Sequence, residues 1–295
     1  MSGVALIVLC MAQTPTAAPG TEVRALTVTV LDEKGNEVGD LAGADVAVTE
    51  NGVARDIVAF KPDRRPLTVA IIVDTSETLS TSYRLNIVDA VLGFVARLPE
   101  GARYALWTTG DRPTKVVDYT DDRQAAGKAL RMVAPRGGNY LLDALSEAST
   151  DLKKLAREGD RNVVVTLTAT GPELSYRDKY RSAEEAARGA DLFLAAQIDA
   201  TSPDAADFEM RSNLSYVLDR LTKATGGVYE VVLSSMGADN ALRKLSPVLR
   251  SGYRLSYATV PDLKKRELTL SVARPATKVL LPQGSVRDIG PARER

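Results

Sequence analysis

Leu67-Thr68-Val69-Ala70-Ile71-Ile72-Val73-Asp74-Thr75-Ser76-Glu77-Thr78 is the stretch on which the fold turns. Residues 67–73 form a nearly continuous apolar run, bounded by the Pro62 to Pro66 segment before it and a polar loop after it. A short run of this kind without polar alternation reads as a central parallel strand buried on both faces. It stops at Asp74. In open α/β sheets, ligands bind outside the carboxyl ends of the strands, so the residues that follow are the first candidates for a site. Asp74, Ser76 and Thr78 place a carboxylate and two hydroxyls at alternate positions, a spacing that lets them point the same way. Hard oxygens converging ahead of a helix suit Mg2+ or Mn2+, with Ca2+ as a further oxygen-loving cation.

Strand and helix patterns alternate from this point to about residue 250. Leu85, Val88, Val91, Leu92 and Val95 share one helical face, and 104–109 and 116–119 read as strands. Leu141, Leu145, Ala148, Leu152 and Leu155 mark the next amphipathic helix. Strands at 162–167, 192–198 and 228–232 then alternate with helices at 178–190, 208–224 and 237–249. This order predicts a parallel, doubly wound, Rossmann-like domain over 67–250. Both flanks are β in character. In 23–62, a strand at 23–31 meets turn residues at 32–36, Val46 and Val48 share a strand face, and Asn51-Gly52 signals a two-residue hairpin to a return strand at 53–60. In 251–286, three strands are predicted at 253–260, 267–273 and 277–281, and residues 287–295 form a frayed tail. A β start, an α/β middle and a β end predict one small β-sandwich with the α/β domain inserted into it.

Composition removes several chemistries. The 295 residues contain no His, so Ser-His-Asp and Cys-His catalysis and His-bound metals are excluded. The lone Cys10 excludes a disulfide framework or thiolate cluster. Basic and acidic side chains balance at 38 each, which argues against nucleic acid as a partner. Lys61, Arg64 and Arg65, the densest basic group, read as a solvated linker beside Pro62 and Pro66. No apolar run reaches the length of a membrane span. At the N-terminus, the apolar residues 4–9, then Cys10, Met11 and Ala12 and a Thr/Pro/Ala-rich stretch, resemble a secretory h-region and cleavage zone ending at Ala12. Residues 1–22 are therefore expected to be a signal-like segment and linker, with export to the periplasm, the cell surface or the medium.

The pentapeptide Asp74-Thr75-Ser76-Glu77-Thr78 resembles the D-x-S-x-S of the von Willebrand factor type A family, whose metal-ion-dependent adhesion site opens directly after the first central strand. Two later segments extend the likeness. Arg136-Gly137-Gly138-Asn139-Tyr140-Leu141 is similar to the family's Gly-Gly loop, with Asn139 in the place of a ligand Thr; Thr168-Ala169-Thr170-Gly171 puts Thr170 where the family has an Asp. The β flanks resemble those of a bacterial group of the family. The resemblance implies a non-enzymatic protein-binding module, for adhesion or as a scaffold. Its site is Asp74, Ser76, Thr78, Asn139 and Thr170, and an acidic side chain of a protein ligand completes the metal's shell. The two departures leave a weakened metal site or none, unless Glu77, Asp143 or Glu173 swings inward. In the second case the module is a metal-independent structural component of a cell-envelope assembly.

Weaker signals read structurally. Gly137-Gly138 is a tight turn before a helix rather than a phosphate loop, since neither nucleotide-binding glycine motif occurs. Ser76 has no activating base. Trp107 belongs to core or sheet-edge packing, while Tyr176 and Tyr180 lie beside a strand-end loop and are open to a ligand role. An Asp after an apolar strand also resembles haloacid-dehalogenase-type phosphotransferases, but that family needs a second Asp where this chain has Ser76.

Overall fold

A computed structural model describes residues 22–176, 190–199, 206–261, 263 and 266–283, with the side chains of 206–213 excepted. The N-terminal flank forms β1 (Glu22–Asp32), β2 (Val46–Glu50), β3 (Val53–Arg55) and β4 (Ile57–Pro62). The α/β section begins with β5 (Leu67–Val73), α1 (Val88–Ala96), β6 (Arg103–Thr108), β7 (Thr114–Thr120), α2 (Ala125–Met132) and α3 (Leu141–Leu155). It continues through β8 (Arg161–Ala169), β9 (Leu192–Ile198), α4 (Ala206–Thr225), β10 (Tyr229–Val232) and α5 (Ala238–Leu245). Strands β11 (Gly252–Thr259), β12 (Leu268–Val272) and β13 (Thr277–Leu280) follow. The predicted signal-like segment, most of the predicted helix 178–190, Tyr180 and the tail 287–295 lie outside the described residues.

Every residue of β5 is buried, as its composition requires, and the strand sits inside a six-stranded sheet of order β10-β9-β8-β5-β6-β7. Its side chains alternate between two cores. Val69, Ile71 and Val73 join α1, α2 and α5 on one face, while Ala70 and Ile72 meet α3 and α4 on the other. The expectation of a wholly parallel sheet needs correction at one edge, because β7 runs antiparallel to β6. The connection 109–113 is too short for the crossover that a parallel pair demands.

Local departures also have physical causes. A π-turn at Tyr83–Ile87 precedes α1 and changes the register, so Tyr83 and Ile87 turn inward while Leu85, predicted on the buried face, is exposed. Leu155 is likewise exposed, since the buried stripe of α3 ends at Leu152. The predicted helix 237–249 stops at Leu245, and a tighter turn follows at Pro247–Leu249, where proline cannot continue the α-helical hydrogen bonds. Helix α2 was not legible in the sequence.

The flanks meet as predicted. One sheet has the order β13-β1-β11-β4, the other β12-β2-β3, so each draws strands from both ends of the chain. Between them pack Leu26, Val28, Val48, Tyr253, Leu255 and Leu270, among others. Asn51 and Gly52, both in the left-handed region at φ 52° and 77°, turn β2 back into β3. The predicted single return strand divides at Asp56: β3 stays with β2, whereas β4 crosses to the other sheet and pairs with β11.

A buried ionic joint ties the sandwich to the α/β section. Arg161, at the start of β8, is wholly buried; its Nη1 donates to the Leu249 carbonyl at 3.0 Å, and its Nε lies 3.8 Å from Asp63 Oδ2. Asp63 also accepts from Arg65 Nε at 2.9 Å and Nη2 at 2.7 Å, and its backbone N–H donates to Gly252 O at 2.8 Å. Lys61 and Arg64 are exposed, but the predicted linker needs correction: Lys61 belongs to β4, opposite Arg254 of β11, and Arg65 turns inward onto Asp63.

Candidate functional site

The sheet order places the carboxyl ends of β5 and β8 side by side, and the loop before α3 closes over both. This loop is fixed by backbone bonds: Arg136 N–H donates to Thr75 O, Glu77 N–H to Gly137 O, and Tyr140 N–H to Thr109 O. Gly137 has φ 66°, a turn conformation that glycine adopts without steric cost. At Gly138 a Cβ would stand 2.2 Å from Leu174 Cδ1, so the Gly-Gly pair works as a tight, closely covered turn. Thr75 faces the neighbouring loop, where its Oγ1 accepts from Gly110 N–H at 2.9 Å.

Asp74 is fully buried, and four donors of the protein surround its carboxylate. Oδ1 accepts from Ser76 N–H at 2.8 Å. Oδ2 accepts from Ala169 N–H at 2.9 Å, Asn139 Nδ2 at 3.1 Å and Thr168 Oγ1 at 3.2 Å. Asn139 Nδ2 also donates to Thr168 Oγ1 at 2.9 Å, which closes the cluster. Such a network satisfies a carboxylate in a low dielectric. The amide orientation follows from chemistry, since turning Asn139 over would set its Oδ1 lone pairs against the carboxylate.

The other predicted residues are placed less uniformly. Ser76 is buried, and its Oγ has no hydrogen-bond partner among the described residues; the same holds for Asn139 Oδ1. Thr78 is exposed on the short turn Glu77–Leu79, beside Gly171, and Glu77 is exposed with it. Thr170 Oγ1 donates to Asp199 Oδ1 at 3.4 Å. Asp143 and Glu173 serve the neighbouring loop. Glu173 accepts from Leu142 N–H at 3.2 Å and from the Ser175 hydroxyl, and Asp143 accepts from Tyr176 N–H at 3.0 Å. Two carboxylates at the first turn of α3 are favourably placed against its dipole. They strap residues 173–176 over the site, aided by Leu174 N–H to Asn139 O at 2.7 Å. Tyr176, 88% exposed, stacks on Tyr140 with ring centroids 5.6 Å apart.

These residues fit a divalent cation poorly. Ser76 Oγ and Asn139 Oδ1 are two neutral acceptors without partners. However, Asp74 is the one acidic side chain of the five predicted residues, both its oxygens are engaged, and Asn139 turns donors toward it where a ligand would offer lone pairs. Among the described residues no three acidic side chains gather as a metal site. Thr168, which closes the cluster, reads from the sequence only as the end of a second apolar strand in the phosphotransferase resemblance and not as one of the five site residues. Trp107 is buried in the core beside α3, with Lys115 5.7 Å from its ring centroid, as packing predicts.

Residues 69–171 match the family model of the von Willebrand factor type A domain. Among solved structures, the fold is similar to a von Willebrand factor type A protein from Catenulispora acidiphila (TM-score 0.52, 10% identity, covering 90% of this chain and 73% of that one). Two others are proximal thread matrix protein 1 from the mussel byssus with a zinc-occupied MIDAS motif (TM-score 0.49, 18% identity, 69% and 49% covered) and BatB from Bacteroides thetaiotaomicron (TM-score 0.45, 18% identity, 63% and 100% covered). No curated protein matches the sequence.

Proposed function

Because the chain carries a von Willebrand factor type A domain, we propose that it is a non-catalytic, exported protein-binding module whose strand-end face works without a bound cation. The observation that carries this reading is the Asp74 cluster. Asn139 Nδ2 and Thr168 Oγ1 bring partial positive charge to the carboxylate where the family's site would hold a metal. The face then binds a protein ligand by packing and hydrogen bonds. Tyr176, stacked on Tyr140, is its anchor, since an exposed, pre-positioned aromatic ring offers large contact area at low entropic cost. Export rests on the apolar run at residues 4–9 and the Thr/Pro/Ala-rich stretch after it. A phosphotransferase reading has little support, because both oxygens of the would-be nucleophile Asp74 accept protein hydrogen bonds and no second Asp stands at Ser76.

The second reading, a weakened site for Mg2+, Mn2+ or Ca2+ that recruits an acidic side chain of the partner, is favoured by the unpartnered Ser76 Oγ and Asn139 Oδ1. Calorimetry and thermal melting separate the two. A cation at about 100 times its Kd adds about 2.7 kcal/mol. That corresponds to a rise of roughly 5–10 °C in a domain of this size. The wild type is expected to give no saturable heat and the same midpoint in EDTA as in any of the three cations. The double variant Asn139→Thr, Thr170→Asp, which restores the family's ligands, is expected to gain both signals. A cation-dependent rise in the wild type would establish the second reading instead.

A further inference from the structure

The strand-end face is not the only surface equipped for a partner. Helices α1 and α2 leave between them a groove of about 620 Å³. Its apolar lining comes from the Leu92 and Ala96 side chains and the Gly127 backbone, and its polar rim from Gln124 and the cations Arg123, Lys128 and Arg131. No acidic side chain lines it. Several cations of the chain are paired: Lys115 holds Asp118 and Asp151, Arg97 and Arg243 share Asp239, and Arg274 holds Asp40. Among the described residues none of the three rim cations forms an ion pair. Arg123 is fixed in place and half-buried, its Nη2 donating to Pro99 O at 3.0 Å, its guanidinium 5.8 Å from the Tyr104 ring centroid and its Nη1 buried, so it contributes its charge to the groove more than a free donor. Lys128 and Arg131 lie one turn apart on α2, a like-charge spacing that costs an isolated helix stability. Arg84 adds a fourth positive charge, its Nη1 donating to Arg131 O at 3.3 Å. In a chain of zero net charge, a groove lined by three cations and no acid selects for an acidic occupant.

We propose that the α1–α2 groove docks an acidic amphipathic segment of a protein partner, with its aliphatic side chains on Leu92, Ala96 and Gly127 and its carboxylates at Arg123, Lys128 and Arg131. Two helices flanking an apolar trough are the usual receptor for such a segment. The site is separate from the strand-end face and stands whether or not that face binds protein.

The test uses the full chain and a fluorescein-labelled synthetic peptide with Leu at helical three- and four-residue spacing and Glu elsewhere, read by anisotropy. Saturable binding that weakens with added salt is expected. It should weaken by about tenfold or more in Lys128→Glu, Arg131→Glu, because two rim attractions become repulsions. Leu92→Gln should weaken it without changing its salt dependence, and Tyr176→Ala should leave it unchanged. Both rim positions are exposed, so matching thermal melts will show that the variants fold. The proposal is overturned if the Leu/Glu peptide does not bind, if it binds the charge-reversed variant equally well, or if its Lys counterpart binds as tightly. It is also overturned if phosphatidylserine vesicles or inorganic phosphate bind in a Lys128- and Arg131-dependent way while the peptide does not.

Discussion

Asp63→Ala is expected to lower the stability of the chain by about 3–5 kcal/mol at neutral pH, because it strands a buried guanidinium. Arg161 is 1% exposed, its Nε and Nη2 have no hydrogen-bond partner among the described residues, and Asp63, itself without exposed side-chain surface, is the carboxylate beside it. The same change releases Arg65, which holds Asp63 through two short bonds. At roughly 2–4 °C per kcal/mol, the thermal midpoint should fall by about 6–20 °C. Replacing both partners, as in Asp63→Leu with Arg161→Met, should recover much of the loss, because the cost lies in the unpaired charge more than in the missing bond. A midpoint within about 2 °C of wild type for Asp63→Ala would refute the joint.

The pH dependence follows with its sign. Burial pushes the Asp63 carboxyl up, but the hydrogen bonds and charge of Arg65, with the charge of Arg161, outweigh it and hold the group below its ordinary value. A carboxyl with a depressed folded pKa contributes its full stability above the unfolded value, about pH 4, and loses it as pH falls through the folded one. Melts of wild type and Asp63→Ala should therefore be far apart at neutral pH and converge below about pH 4.

Position along the chain explains which features sequence reading could reach. The run Leu67–Val73 announced a central strand because burial on both faces leaves no room for polar alternation, and Asn51-Gly52 announced a hairpin because few residues accept the left-handed region at two successive positions. Those signals are local. The division of 53–60 at Asp56 was not, because the same residues suit either sheet and the choice is made by β11, about two hundred residues away. Leu85 was misplaced because a π-turn shifts the helical phase without altering composition. Arg65 read as a solvated linker cation and Arg161 gave no signal at all, since nothing near them in sequence shows that the two flanks meet there. Arg123, Lys128 and Arg131 looked scattered, and only the packing of an unpredicted α2 against α1 gathers them on one groove. At the candidate site, the residue types were legible at Asp74, Ser76 and Asn139. The direction of the Asn139 amide was not, and that direction separates a ligand for a cation from a substitute for one.

Asp74→Ala tests that distinction through stability alone. A carboxylate reserved for a cation is an unneutralised buried charge when the cation is removed, so deleting it should leave the metal-free protein no weaker, or make it stronger. The observed cluster demands the opposite. Ser76 N–H, Ala169 N–H, Asn139 Nδ2 and Thr168 Oγ1 all donate to Asp74, and all four belong to buried residues. Each donor left without an acceptor costs about 1–3 kcal/mol. Thr168 can keep one bond by donating to Ala169 O, and water entering the vacated volume re-solvates part of the rest. The net expectation is a loss of at least about 3 kcal/mol, measured by urea unfolding in excess EDTA. Asp74→Asn should fall between the two, because its single amide oxygen accepts from some of these donors while its NH2 confronts Asn139 Nδ2. If Asp74→Ala in EDTA is as stable as the wild type, the four hydrogen bonds do not hold the strand ends together and the cation-independent reading fails. A large loss in EDTA with no further effect of Mg2+ would identify Asp74 as the internal anchor of the β5, β8 and α3 junction, with the exposed Tyr176 ring as the part of this face left for a partner.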